Sequence, residues 1–204
     1  LRSRTVDVFT AHRWEAPDRR FLWDMLYRVL YVRPGDDPLP RSVLEDPHIA
    51  HYLDGSGERR GDDAEVCLNH GRRVGAAWCR RLTSEDPGYG YVADNVPELG
   101  LAVMAEFRGR GIGRRLLTKL LSRNPTMSLS VDNENDAAVA LYRSPGFAPV
   151  GEVGGSTTMQ RLAARGTGPP LEEERPPKAA GHHALAQGID HSSIFIDATT
   201  TRGI

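Results

Sequence analysis

The segment 101–121, LAVMAEFRGRGIGRRLLTKLL, constrains the fold most, because it joins an apolar run to a glycine-rich turn and a leucine-striped helix. Glycines let a ligand approach the backbone closely, and a helix start leaves about four N–H groups without acceptors. The helix dipole and the nearby Arg108, Arg110 and Arg114 favour negative charge at the same point. The segment therefore predicts a site for a phosphate-bearing molecule. The alternative is a plain strand-to-helix turn with solvated arginines.

Two common phosphate-binding loops do not match this turn. A Walker A loop needs Lys and then Ser or Thr after its last glycine, but Gly113 is followed by Arg114 and Arg115. A dinucleotide fingerprint needs G-x-G-x-x-G, and neither Gly109 nor Gly111 has a glycine five residues downstream. The spacing that remains is R-x-x-G-x-G.

A second motif follows at 135–147, NDAAVALYRSPGF, and the segment MSLSV between the two motifs is predicted to be a buried strand. Its pattern is N-x-x-A-x-x-L-Y-x-x-x-G-F. The two motifs in this order resemble the GNAT superfamily of acetyl-CoA-dependent N-acetyltransferases, over roughly Thr5 to Leu162. The resemblance implies an α+β fold with αβα layers: a mixed, twisted sheet of six to seven strands, with splayed parallel central strands and flanking helices.

The resemblance also implies which residues hold the cosubstrate acetyl-CoA. Main-chain groups of the strand before the glycine turn would bind the pantetheine arm, and the turn would cradle the pyrophosphate. Asn135 would help to position the arm, although it also suits the N-cap of the next helix. The predicted cosubstrate-binding residues are Leu101, Ala102, Val103, Arg108, Gly109, Arg110, Gly111, Ile112, Gly113, Arg114 and Asn135.

Two catalytic residues are implied in the same way. Tyr142 resembles the family's general acid, which protonates the departing thiolate; otherwise it is a core aromatic residue. Glu98 lies on the strand where several family members keep a glutamate base. A shift of one residue in register turns a strand side chain to the other face, so Asp94, Glu106 and an ordered water stay open as alternatives.

The predicted function is acetyl transfer from acetyl-CoA to a primary amine, by direct attack and without a covalent enzyme intermediate. The acceptor is a small-molecule amine or a peptide N-terminus, and a homodimer is compatible with the sequence. Two alternatives stay open: a protein N-terminal acetyltransferase, and a non-catalytic acyl-CoA-binding or regulatory module. The second is suggested by the segment between Gly113 and Ser128, which is shorter than the family norm.

Composition excludes several classes. A net charge of −1 over 204 residues argues against a nucleic-acid binder, which usually has a basic excess. No apolar stretch approaches the roughly 18 residues of a membrane helix, and no Cys or His cluster has the spacing of a metal site. The domain is expected to cover residues 1–162. The extension 163–204, rich in Pro, Gly, Ala and charge, is expected to be flexible.

Other elements are predicted from hydrophobic periodicity. TVDVF at 5–9 alternates as a strand does. The apolar residues of 21–31 recur at helical spacing, with Asp18 as a plausible N-cap.

A hairpin is predicted around His70–Gly71, with Cys67 opposite Val74. This register keeps Cys67 and Cys79 from forming a disulfide, so both are expected to be thiols in a reducing cytoplasm.

Overall fold

The structure is a computed structural model that describes residues 8–32 and 37–163, with the backbone of 195–196. Its strands are β1 (Phe9–Arg13), β2 (Leu30–Tyr31), β3 (Asp63–Asn69), β4 (Arg72–Arg80), β5 (Glu98–Val103), β6 (Met127–Asp132), β7 (Ala148–Val153), β8 (Ser156–Arg161) and β9 (Phe195–Ile196). Its α-helices are α1 (Arg19–Val29), α2 (Pro47–Ala50), α3 (Ile112–Arg123) and α4 (Asp136–Arg143). Nearly all of the predicted flexible extension, 163–204, lies outside the described residues.

Seven strands form one mixed sheet in the order β1-β3-β4-β5-β6-β8-β7. Every neighbouring pair is antiparallel except β5 and β6, which run parallel. This architecture confirms the predicted fold class. The short strands β2 and β9 pair antiparallel with each other, through Leu30 with Ile196 and Tyr31 with Phe195.

The first strand differs from the prediction. It begins at Phe9 and continues to Arg13, whereas 5–9 was the expected range; residues 5–7 lie outside the described part of the chain. This strand forms an edge of the sheet, and its Ala11 carbonyl accepts a hydrogen bond from Lys119 of α3. Because an edge strand is held by its backbone and is partly exposed, hydrophobic alternation does not report its position well.

The β3–β4 hairpin turns at His70 and Gly71 as predicted, but a bulge changes the register beyond the turn. Cys67 lies opposite Gly75, so the expected pairing of Cys67 with Val74 is wrong. Val74 is the extra residue of the bulge, which no hydrophobic pattern in the sequence signals. Both cysteines are nevertheless free and buried, as predicted.

The two faces of the sheet carry separate apolar clusters. On one face α1 buries Leu22, Met25 and Leu26 against Trp78. On the other face α3 buries Leu116, Leu117 and Leu120 against alternate residues of β5. Asp18 occupies the N-cap position of α1, as predicted, but its carboxylate accepts from Glu15 N–H and Arg73 and makes no capping bond to the helix. Because side chains alternate along β5, Glu98 and Ala102 lie on the α1 face.

The short segment before β6 does not disrupt that strand. The helix α3 keeps 12 residues, about three turns, and ends where Asn124 N–H donates to the Leu120 carbonyl. The strand β6 then begins at Met127, and all six of its residues are buried. Burial on both faces agrees with the largely apolar sequence of β5. The strand β6 instead buries Ser128, Ser130 and Asp132 in alternation with its apolar residues.

Candidate functional site

The glycine turn is open in front of the first turn of α3. Gly109 and Gly111 have φ angles of +71° and +77°, and Gly111 is the N-cap residue. A Cβ at either position would meet no protein atom within 4 Å. Arg115 N–H makes the first bond of the helix, to the Gly111 carbonyl. Helix geometry therefore leaves the N–H groups of residues 112–114 without an acceptor inside the helix, which suits an anion.

The arginines of the turn have different surroundings. Arg108 Nε donates to the Val103 carbonyl at 3.0 Å, which fastens the turn to the end of β5. Arg110 donates to the Glu106 carbonyl, and its guanidinium lies 5.4 Å from the centre of the Phe107 ring. Arg114 lines the cavity in front of the helix. The arginines therefore place positive charge around the turn. The hydrogen bonds of Arg108 and Arg110 to backbone carbonyls also stabilise the conformation of the turn.

A cavity of about 310 Å³ lies between the glycine turn and α4. It brings together seven of the predicted cosubstrate-binding residues, and α4 contributes Ala137, Ala140 and Leu141. The predicted residues Leu101, Ala102, Arg110 and Asn135 are not among those that line it. The seven predicted residues that do are Val103, Arg108, Gly109, Gly111, Ile112, Gly113 and Arg114.

The central strands separate next to this cavity. Within the described residues, β5 pairs with β6 only at Glu98 and Ser128, whereas β5 pairs with β4 along its whole length. From Glu98 to Val103 the strand spans about 17 Å. The gap therefore opens from Glu98 towards the glycine turn, and backbone groups on this side of β5 are not tied to β6.

Asn135 and Tyr142 both have structural roles. Asn135 is the N-cap of α4, where its Oδ1 accepts from Ala138 N–H at 3.1 Å. Tyr142 is 3% exposed and packs edge-on against Phe147, with ring centres 5.8 Å apart. Both alternatives considered for these residues, a helix cap and a core aromatic residue, are therefore present. They do not exclude the roles in binding and acid catalysis.

Glu98 has the most unusual environment of the carboxyl groups considered. It is buried, at 2% exposure, at the point where the gap between β5 and β6 begins. Its Oε1 accepts from the Tyr52 hydroxyl at 2.7 Å and from Gly90 N–H at 2.8 Å. Burial raises the pKa of Glu98 to about 7, and these two hydrogen bonds limit the rise. A pKa near working pH suits a general base.

The two other carboxyl groups proposed as the base, Glu106 and Asp94, are exposed, unlike that of Glu98. Glu106 is about half exposed and pairs with Arg72 at 2.7 Å. A hydrogen bond from its own backbone and the contact with Arg72 lower the pKa of Glu106, although slight burial opposes this. Asp94 accepts from Ser84 N–H at 2.9 Å and from the Tyr91 hydroxyl, and both contacts are exposed.

Sequence reasoning missed the residues that surround Glu98. Tyr52 lies just after α2, and Gly88 and Gly90 belong to the loop between β4 and β5. The tripeptide Gly88-Tyr89-Gly90 is the one local signal, because alternating glycines indicate a close backbone approach. Nothing in the sequence says what it approaches.

The described residues contain neither a metal-binding cluster nor a membrane-spanning helix. No group of three His, Cys, Asp or Glu residues there could hold a metal ion. None of the helices in that part of the chain is long and apolar enough to cross a bilayer.

Comparison with known sequences agrees with the geometry. The profile of the Acetyltransferase (GNAT) family matches residues 23–147. The chain is similar to the N-alpha-acetyltransferase RimI of Mycobacterium tuberculosis, with 40% identity over 123 residues, which cover 57% of this chain and 66% of that protein. It is also similar to an uncharacterised protein of Mycobacterium leprae, with 34% identity over 119 residues, 57% of this chain and 29% of that protein.

A solved structure has the same fold. The putative acetyltransferase yncA from Salmonella typhimurium, determined with its cofactor acetyl-CoA, superimposes with a TM-score of 0.56 and 21% identity, covering 80% of this chain and 98% of that one. The family profile covers more than half of the chain, and both motifs lie within or at the edge of the matched range. The chain therefore belongs to the GNAT family of acetyltransferases.

Proposed function

We propose that this protein transfers the acetyl group of acetyl-CoA to a primary amine by direct attack of the amine on the thioester. The observation that carries the proposal is the alignment of three features: an open glycine turn at a helix start, a gap between β5 and β6, and a buried carboxyl group at the closed end of that gap. A cosubstrate held by its pyrophosphate at the turn needs an extended arm to reach that carboxyl group.

The described residues fit coenzyme A at the turn. The left-handed Gly109 and Gly111 leave open space in front of them, and the helix start offers N–H groups to a diphosphate. Arg114 adds charge at the rim of the cavity. The backbone of residues 101–103 would hold the pantetheine arm, assisted by Asn135. When bound, acetyl-CoA supplies an activated acetyl group.

Glu98 acts as the general base in this proposal. An acceptor amine is mainly protonated at pH 7 and must lose a proton before it attacks. Transfer from a lysine-like ammonium, of pKa about 10.4, to a carboxylate of pKa about 7 costs roughly 4–5 kcal/mol. Transfer from an α-ammonium, of pKa about 8, costs only about 1 kcal/mol. The Glu98 carboxyl accepts this proton directly or through one water molecule.

Tyr142 acts as the general acid. As the new C–N bond forms and the C–S bond breaks, its phenol gives a proton to the departing thiolate. An ordinary phenol has a pKa of about 10 and is therefore a suitable proton donor at working pH. The packing of Tyr142 against Phe147 would hold the ring in one orientation.

A second candidate function is acetylation of a protein N-terminus. Two observations favour it: the 40% identical relative is named an N-alpha-acetyltransferase, and the proton transfer to Glu98 is least costly from an α-amine. Small-molecule amines such as polyamines remain the competing acceptors.

A matched pair of variants tests the cosubstrate site. Gly111→Ala and Gly71→Ala each force an alanine to a left-handed φ, of +77° and +79°, and each Cβ points into open space. Both variants should lose about 1–2 kcal/mol of folding stability. Only Gly111→Ala should also weaken coenzyme A binding, by about tenfold in a calorimetric titration. Equal coenzyme A affinity in the two variants would contradict the site.

The acceptor is identified by release of the coenzyme A thiol. The full chain is incubated with acetyl-CoA and with peptides, polyamines, aminoglycosides or amino acids as competing amines. Faster release with peptides that have a free α-amine selects the second candidate. Coenzyme A binding without thiol release for any amine would favour the non-catalytic alternative.

A further inference from the structure

The enclosure of Glu98 is built from separate parts of the chain. Tyr52 follows α2, Gly88 and Gly90 lie in the loop between β4 and β5, and Glu98 begins β5 itself. Tyr52 and Glu98 are 46 residues apart in sequence but are joined by a buried hydrogen bond of 2.7 Å. A contact of this kind is formed only by the complete fold.

The two oxygens of the Glu98 carboxyl group are not equivalent. Oε1 accepts two hydrogen bonds, from the Tyr52 hydroxyl and from Gly90 N–H. A carboxylate oxygen has two lone pairs, so Oε1 is fully used. Oε2 is buried and has no hydrogen-bond partner among the described residues. An incoming proton is therefore best accepted at Oε2.

The hydroxyl of Tyr52 has a fixed direction. It accepts a hydrogen bond from Tyr89 N–H at 2.8 Å, so its own hydrogen is directed to Glu98. Burial, together with the charge of Glu98, raises the pKa of Tyr52 well above its ordinary value. Tyr52 therefore stays protonated and acts as a permanent donor.

Glycines at 88 and 90 allow the loop to close on this group. A Cβ at Gly88 would lie 2.2 Å from Oε2 of Glu98 and 2.5 Å from the Tyr52 hydroxyl. A Cβ at Gly90 would lie 2.4 Å from the backbone carbon of Leu129 in β6. Either side chain would therefore displace the carboxyl group or lift the loop from the strand.

We infer that Tyr52 is a positioning residue for the base: with Gly90 it occupies Oε1 of Glu98 and leaves Oε2 as the atom that takes the acceptor's proton. The inference rests on the proposed function, because it assigns a helper to the base proposed there. Tyr52 acts through Glu98 and need not touch the substrate.

Other charged or titratable groups near Glu98 have their own partners or lie further out. Arg80 is paired opposite Glu98 across β4 and β5, but its guanidinium bonds to the His51 carbonyl and to Asp62. His51 is buried and bonds to Asp86 at 2.8 Å. Burial and nearby negative charge raise the pKa of Tyr89 to about 12. Tyr52 is thus the side chain whose hydroxyl contacts the carboxylate directly.

The test compares Tyr52→Phe with Tyr91→Phe. Each change removes one hydroxyl that donates to a carboxylate, Glu98 in the first case and Asp94 in the second. A lost hydrogen bond to a carboxylate should raise the Glu98 pKa by about 1–2 units. The acid limb of kcat/KM against pH should move up by the same amount in Tyr52→Phe and stay in place in Tyr91→Phe. A merely structural role would lower the rate at every pH without moving the limb.

A second measurement keeps the inference separate from the proposed function. The Glu98 carboxyl is titrated by ¹³C NMR in the full chain, and its signal is assigned by its loss in Glu98→Gln. An unchanged Glu98 pKa in Tyr52→Phe overturns the positioning role. A raised Glu98 pKa with an unmoved acid limb overturns the assignment of the base. If the acid limb of kcat/KM against pH shifts in Tyr91→Phe, Asp94 is the base, and the inference is also overturned.

Absence of thiol release with every amine defeats the proposed function, while the NMR titration still decides whether Tyr52 sets the Glu98 pKa. Should Tyr52→Phe fail to fold, Gly88→Ala perturbs the other oxygen of the same carboxyl group, because its Cβ would lie 2.2 Å from Oε2. It is expected to lower kcat and leave coenzyme A affinity unchanged. A Gly88→Ala enzyme with normal kcat would overturn the claim that Oε2 takes the proton.

Discussion

The burial of Glu98 predicts how the stability of the protein changes with pH, whatever the substrate. The group has a pKa of about 7 in the folded chain, against 4.5 for an ordinary glutamate. Below pH 4.5 the carboxyl is neutral in both states, and its contribution to folding is fully present. Between pH 4.5 and 7 it ionises in the unfolded chain only, so the free energy of unfolding falls as pH rises. The total loss above pH 7 is about 3 kcal/mol.

Replacement of Glu98 by Gln removes this titration and keeps the size of the side chain. The stability difference, Glu98→Gln minus wild type, should therefore increase by about 2 kcal/mol between pH 5.5 and pH 8. Carboxyl groups with lowered pKa values, such as Asp18 and Asp63, have the opposite pH dependence. They are present in both proteins, so their effects cancel in the difference.

The assay is urea unfolding followed by circular dichroism at both pH values. With a slope of about 2 kcal/mol per molar urea, the two midpoints should separate by about 1 M more at pH 8 than at pH 5.5. A difference that does not change with pH would mean that Glu98 titrates normally. In that case both its burial and its proposed role as a base poised near neutral pH would be refuted.

Other variants test the remaining parts of the site and fold. Tyr142→Phe should lower kcat by about 100-fold and leave coenzyme A affinity nearly unchanged, as measured by steady-state kinetics and calorimetry; unchanged turnover would remove the proposed acid. Arg108→Ala should weaken binding of coenzyme A more than that of a phosphate-free pantetheine analogue, and equal losses would contradict a phosphate role. Arg123→Met removes the bonds of 2.7 Å to the buried Asp63 and Glu65. It should lower stability by about 2 kcal/mol, or roughly 5 °C in Tm, and an unchanged Tm would show that the pairs contribute nothing.

The sequence was most informative where local pattern and burial agree. The helix at Asp136–Arg143 begins directly after Asn135, its predicted N-cap, and every residue of β5 and β6 is buried. The strand at Phe9–Arg13 was misplaced because it is an edge strand held largely by backbone bonds. The bulge at Val74 was also missed, because the residues of β4 from Val74 onwards are buried on both faces and show no polar–apolar alternation in which a shift of one residue would be visible.

The parts of the candidate site also differ in how well the sequence predicts them. The glycine turn could be predicted because its function lies in the backbone, and glycine spacing records backbone conformation directly. The state of Glu98 could not be predicted, because its pKa depends on groups brought in by distant segments: a hydroxyl 46 residues earlier and a loop N–H eight residues earlier. A glutamate at the start of an apolar strand is by itself compatible with an exposed, ionised carboxylate. The close approach of the loop at Gly88 and Gly90 contributes to the burial of this carboxyl group, and that burial raises the pKa of Glu98 to about 7.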